Sequence, residues 1–189
     1  MNDSSFLQAL LIALAVMIPI ALLVGLIGYI LTSIFLMKLF EKAGVQGKWR
    51  AWVPFYREMI FFKLGDLNPW WYIVMLAATA VLGAIPFIGE FVTWILALAL
   101  AVYSVLAGYR IGEKLQKEWP WLILYVLLWI VWLGIMAFGS SRWNTGVRPA
   151  PWANSFLADK TRWDGIPDQQ GGAAAPGAYP PPAPPAPGV

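Results

Sequence analysis

The chemistry available to this chain is bounded by what it lacks. None of its 189 residues is histidine or cysteine, which removes imidazole bases, thiolate nucleophiles, disulfides and the commonest zinc ligands together. Hydroxyls, carboxylates and amines remain. A Ser–Lys peptidase needs a serine beside a lysine that burial keeps neutral. Ser33 and Lys38 are five residues apart on one apolar run, so they do not stack at the four-residue step of a helix. Ser104 and Ser140 have no lysine in register. Glu90 is the carboxylate nearest to an apolar run, and it reads as a solvated group at a bend rather than an ion or proton site. The residues argue against an enzyme, and no catalytic residue, cofactor or metal ligand is assigned. A pore lined by hydroxyls such as Thr79, Thr93 and Ser104 stays open as an alternative.

The elements that would position these groups are four uncharged apolar runs, Phe6–Met37, Trp70–Gly89, Phe91–Tyr109 and Trp119–Ser141. Each reaches the roughly 17–25 residues that a helix needs to cross a ~30 Å hydrocarbon core. The runs are continuous rather than alternating, so helices are expected and not barrel strands. Composition agrees, with 60% of residues hydrophobic and 12% charged, half the ~25% charged share of a soluble domain. The expected fold is all-α, a polytopic membrane protein with transmembrane helices over 6–37, 70–89, 91–109 and 119–141 in one domain of residues 1–141. At ~1.5 Å per residue the first run is about 48 Å long, so it must tilt, kink or emerge, and Pro19 offers a kink point. It is read as an uncleaved helix, because Met1–Ser5 carries no basic residue and the run far exceeds a signal-peptide core.

Charge placement sets the expected topology. The first connection holds Lys38, Lys42, Lys48, Arg50, Arg57 and Lys63, and the third holds Arg110, Lys114 and Lys117. The tail holds Arg142, Arg148, Lys160 and Arg162. Lys and Arg favour the cytoplasmic side, so nine against four places both connections in the cytoplasm and both termini outside. The net charge of +3 is too small to indicate nucleic acid.

Segment 44–69 has the most individual character. Trp49, Trp52, Val53, Tyr56, Ile60 and Leu64 repeat at three- and four-residue steps, with Lys48, Arg50, Arg57 and Glu58 between them. That pattern predicts an amphipathic helix lying in the membrane surface, started by Pro54 and running to about Leu64. Lys48, Trp49, Arg50, Trp52, Pro54, Tyr56 and Arg57 form the candidate docking surface for anionic lipid or a partner. A connecting elbow packed on the chain's own helices is the plainer alternative.

Lys48-Trp49, then Val53-Pro54-Phe55-Tyr56, Gly65, Trp70-Trp71 and Ile85-Pro86-Phe87-Ile88 together resemble a family of small, uncharacterised four-helix bacterial membrane proteins, some labelled signal peptidase I. The resemblance covers about Gly25 to Asn144 and implies a multi-pass protein of the cytoplasmic membrane, with no activity to carry over. Arg57 stands where the family tends to have Asn, and Gly89-Glu90 replaces another Asn.

Residues 53–59 and 85–91 share a [VI]-P-F-x-x-E-[MF] pattern, read as two helix starts rather than an internal repeat. Ala97, Ala101, Ser104, Gly108 and Gly112 fall on one helical face, where small residues let backbones approach. That face is expected to pack within the bundle, or against a second copy or a membrane partner. Residues 142–189 read as a Trp-containing and then Pro/Ala/Gly-rich disordered tail. The expected function is a structural or interaction subunit in the bilayer. A small channel or transporter is the alternative, and a membrane-embedded peptidase the third reading.

Overall fold

The computed structural model describes residues 3–169. Among them the regular structure is helical, with two isolated β-bridges and no strand. The helices are α1 (Asp3–Lys42), α2 (Tyr56–Leu64), α3 (Trp70–Leu82), α4 (Gly89–Lys114), α5 (Trp121–Leu127) and α6 (Trp129–Phe138), with a 3-10 turn at Lys48–Trp52.

Two of these helices, over Phe6–Lys42 and Gly89–Lys114, are long and apolar enough to cross a membrane. In α1 the residues from Phe6 to Ile27 are exposed whatever direction they face, and burial begins at Thr32. A helix apolar on every side needs apolar surroundings. The second and fourth sequence runs depart from the expected crossings. Trp70–Gly89 yields only the 13 residues of α3 before the chain turns at Gly83. Trp119–Ser141 is split at Leu128, whose φ of −141° and ψ of 59° leave the helical region.

The break at Leu128 changes where the chain goes. Lys117 lies 4.8 Å from the Trp121 ring at the start of α5, while Lys42 donates to the carbonyls of Met136 and Gly139 at 2.8 and 2.6 Å. The Asn144 N–H then donates to the Lys114 carbonyl at 2.8 Å. Both ends of the α5–α6 elbow are therefore held at the basic ends of α1 and α4, rather than at opposite ends of a crossing.

The tail expectation is corrected accordingly. Residues 142–169 fold back onto the first connection: Asn68 N–H donates to the Leu157 carbonyl at 2.8 Å, and Gln46 N–H to that of Gly165 at 2.7 Å. Trp152 is buried and Trp143 and Trp163 pack on the core, giving the segment the apolar surface needed to offset its ordering entropy. The first connection, the third and residues 142–169 thus share one face, which does not fit a C-terminal segment on the far side. The remainder of the expected tail, 170–189, lies outside the described residues.

Segment 44–69 is likewise not one surface helix. Pro54 lacks the N–H to continue the turn before it, and α2 starts two residues later with Met59 to Leu64 all buried. Phe61 and Phe62 fill the face that the periodicity leaves unassigned, so the last six residues of α2 are buried on every side. The two Pro-Phe boxes fold alike. Phe55 and Phe87 have φ of 62° and 66°, and the next N–H reaches back to the proline carbonyl, Tyr56 to Pro54 at 2.7 Å and Ile88 to Pro86 at 2.8 Å. Each is a γ-turn of the strained, positive-φ kind, followed by a helix with Glu58 or Glu90 in its first turn. The shared sequence pattern is helix-start chemistry.

Candidate functional site

The most concentrated polar chemistry lies where α2 ends against α4. The turn after α2 places Asp66 at φ 59°, with the Asp66 N–H bonded to the Lys63 carbonyl and the Leu67 N–H to that of Phe62, both at 3.0 Å. This is a left-handed helix stop, a conformation that Asp tolerates better than most residues. Gly65 touches α4 so closely that a Cβ there would lie 2.7 Å from the Ala107 Cα. One turn on, Arg110 and Lys114 stack at i, i+4 and converge on Asp66.

Arg110 Nε and Lys114 Nζ each lie 2.5 Å from an Asp66 oxygen, with all three side chains no more than 1% exposed. Lys114 also donates to the Leu64 carbonyl at 2.7 Å. Arg110 reaches Glu113 at 3.0 Å, and Glu113 accepts from Tyr109 at 2.9 Å and from Arg148 at 3.0 Å. Its hydrogen bonds to Glu113 and Tyr109 raise the Arg148 guanidinium above its ordinary pKa. The Trp152 indole donates to the Asp66 carbonyl at 3.1 Å. Charges removed from water are tolerated only when paired and hydrogen-bonded, and here each cation spends its donors on neighbours. The arrangement joins α2, α4 and the C-terminal segment.

A second junction uses part of the predicted docking set. The Tyr56 ring is stacked between Trp49 at 6.4 Å and Trp163 at 5.6 Å. Arg50 donates to the Tyr56 hydroxyl at 3.0 Å and to the Asp164 carbonyl at 2.8 Å. Lys63 forms an ion pair with Asp159 at 2.5 Å and stands 5.5 Å from the Trp163 ring. Arg50 and Tyr56 thus grip the C-terminal segment instead of facing lipid. Lys48 pairs with Glu41 at 3.1 Å. Trp49, Trp52 and Pro54 remain exposed, so the expected surface is divided between an internal clamp and an exposed edge.

Arg57 turns toward α1. It pairs with Glu58 at 3.0 Å, donates to the Ser33 hydroxyl at 3.0 Å and lies 4.6 Å from the Tyr29 ring. Lys38 is bound to Glu41 at 3.1 Å, so Ser33 and Lys38 do not meet. The small-residue face divides too. Ala97 and Ala101 are exposed, whereas the Ser104 hydroxyl lies 2.5 Å from that of Tyr125 and a Cβ on Gly108 would lie 2.8 Å from the Tyr125 ring. Gly112 is buried. The lower half of that face packs inside the chain.

Among the described residues no three His, Cys, Asp or Glu side chains gather as a metal ligand set. Nothing in the sequence singles out Asp66, and Arg110 and Lys114 stand out there only as charges that bear on topology. The usable signal was two cations one helical turn apart, with an acid following a helix-stopping glycine. Neither family models nor curated proteins nor solved structures match this chain.

The clamp carries a direct expectation. Tyr56→Ala removes two aromatic stacks, each contributing about 0.5–1.5 kcal/mol. Trypsin cleavage at Lys160 and Arg162 in the folded protein should accelerate by roughly 30-fold through easier local opening. Tyr56→Phe keeps the stacks and should stay within about threefold of the parent. Equal cleavage of Tyr56→Ala and the parent would show that the clamp does not hold the segment.

Proposed function

We propose that this chain is a multi-pass protein of the bacterial cytoplasmic membrane that serves as a structural or interaction subunit. In this reading α1 crosses the bilayer, α3 and α4 enter it as a hairpin, and the α5–α6 elbow stays with the basic face. The observation that carries the role is the closed ion cluster at Asp66, in which buried charges bind one another and a C-terminal segment rather than lining an open site. Such a cluster suits a rigid platform on a membrane anchor. Partners on this reading are the lipid bilayer and a membrane protein or a second copy, with no nucleic acid.

All thirteen Lys and Arg residues fall in the first connection, the lower end of α4, the third connection or residues 142–169. The positive-inside rule then assigns that face to the cytoplasm, with the N-terminus outside. A cysteine-free chain makes the test clean. Cysteine at Ser4 should react with an impermeant thiol reagent in intact cells, and cysteine at Gly146 should react only after permeabilisation. Labelling of Gly146 from outside, or recovery of the chain in the soluble fraction, would sink this reading.

One observation favours the channel or transporter alternative. The Arg57–Glu58 pair sits beside Tyr29 and Ser33 on α1, roughly 14–20 Å along the helix from Lys42 at ~1.5 Å per residue, and ionisable groups at depth often mark transport paths. A solute flux in proteoliposomes that Glu58→Gln abolishes would favour that alternative.

A further inference from the structure

We propose that the α3–α4 hairpin spans a locally thinned bilayer and gathers phospholipids with short acyl chains around itself, an inference that rests on the membrane placement above. Contacts at both ends fix how far the hairpin reaches. At its base the buried Tyr103 donates its hydroxyl to the Asn68 carbonyl at 2.7 Å, two residues before α3 begins. At its top the legs meet so closely that a Cβ on Gly83 would lie 2.9 Å from the Thr93 hydroxyl oxygen, and one on Gly89 would strike the Gly83 carbonyl. Between these contacts α3 has 13 residues, none of them buried, and α4 runs from Gly89 down to Val102. Each leg is therefore about 20 Å long at ~1.5 Å per residue.

That reach falls about 10 Å short of a ~30 Å hydrocarbon core. In α1 the exposed residues from Phe6 to Ile27 cover roughly 33 Å, so the chain sets a full-length crossing beside a short one. Neither end of the hairpin suits hydrocarbon. Its tip holds the open turn 83–88 and the exposed Glu90, and both non-helical backbone and a carboxylate need water or protein around them. The exposed Trp94 lies one turn below Glu90, and Trp70 is exposed where α3 starts, which puts an indole near each end as at the two headgroup levels. Beyond Trp70 the chain enters the packed base, where the Trp71 indole donates to the Phe156 carbonyl at 3.2 Å and the Asp66 ion cluster follows. The base cannot sink into lipid, so the tip meets the far headgroups where the bilayer thins by about 10 Å. A crossing that is too long can tilt, as α1 is free to do. Two legs joined at both ends cannot lengthen, so the hairpin decides which lipids border the protein.

Two measurements on the full chain test this. Phe87 is wholly exposed at the tip and the chain has no cysteine, so Phe87→Cys should react with an impermeant thiol reagent in intact cells as readily as Ser4→Cys does. The protein is then reconstituted into vesicles of equal dimyristoleoyl and dierucoyl phosphatidylcholine and extracted into polymer-bounded discs, whose lipids are counted by mass spectrometry. The short-chain lipid should exceed the long-chain one by about threefold, in keeping with the modest cost of each Å of mismatch. Glu90→Leu combined with Trp94→Leu alters only exposed side chains and weakens the hold of the tip on the headgroups, so it should roughly halve that excess while the thermal midpoint in detergent stays put. A Phe87→Cys that stays unreactive in intact cells, equal shares of the two lipids, or an excess that the double substitution leaves unchanged would each overturn the proposal. If Ser4→Cys labels from outside while Phe87→Cys does not, this inference alone fails, whereas recovery of the chain in the soluble fraction refutes the membrane reading as well.

Discussion

Asp66→Asn is expected to destabilise the fold by about 3–5 kcal/mol, the range for leaving buried charges without their partner. Asparagine keeps the shape and the tolerance of φ 59°, so the substitution isolates charge from backbone strain. What it leaves behind is Arg110 and Lys114, both buried, with Glu113 as the remaining acid on Arg110. The thermal midpoint in detergent should fall by roughly 10 °C. Removing one stranded cation should restore part of it, so Asp66→Asn with Lys114→Met is expected to be more stable than Asp66→Asn alone. A midpoint within about 2 °C of the parent for Asp66→Asn would mean that the cluster does not hold α2, α4 and the C-terminal segment together.

Gly108→Leu should be nearly as damaging, because its first added carbon would already lie 2.8 Å from the Tyr125 ring. That ring cannot retreat. It is stacked on Phe61 at 6.4 Å and meets Trp132 edge-on at 4.9 Å, inside the elbow that α5 and α6 make. Overpacking such a core costs about 1–3 kcal/mol and sometimes more, and Gly108→Ala should move the midpoint in the same direction by less. Ala101→Leu lies on the same helical face two turns earlier but is exposed, and is expected to leave the midpoint unchanged. The comparison separates an internal contact from an intermolecular one. If Gly108→Leu altered only the oligomeric state and spared the midpoint, the small-residue face would belong to a partner interface after all.

The membrane-seeking elements were legible because apolar composition and length are local properties. Phe6–Met37 and Phe91–Tyr109 carry no charge, and both lie within helices long enough to cross a bilayer. Two helix starts were also approachable, since the Pro-Phe boxes at Pro54 and Pro86 punctuate the chain just before α2 and α4 begin. The break at Leu128 was not legible. The run Trp119–Ser141 contains no proline after Pro120, and its only glycines, Gly134 and Gly139, lie beyond the bend, so nothing local marks it. What bends the chain there is a distant requirement, the binding of Met136 and Gly139 by Lys42 and of Asn144 by α4.

The same division applies to the charges. By itself the sequence determined that this chain is helical, that it carries apolar surface in excess of what water tolerates, and that thiol and imidazole chemistry are closed to it, because those properties follow from residue type and run length. It also determined that Lys and Arg keep clear of the apolar runs. Only the tertiary structure decided what those cations do. Asp66 meets Arg110 across 44 residues and Lys63 meets Asp159 across 96, and pairings at such separations leave no periodic trace. A charge-count rule treats Arg50, Lys63, Arg110 and Lys114 as votes about a membrane side. Burial made them partners, because an ion taken out of water has to find its counter-charge wherever the fold has placed it.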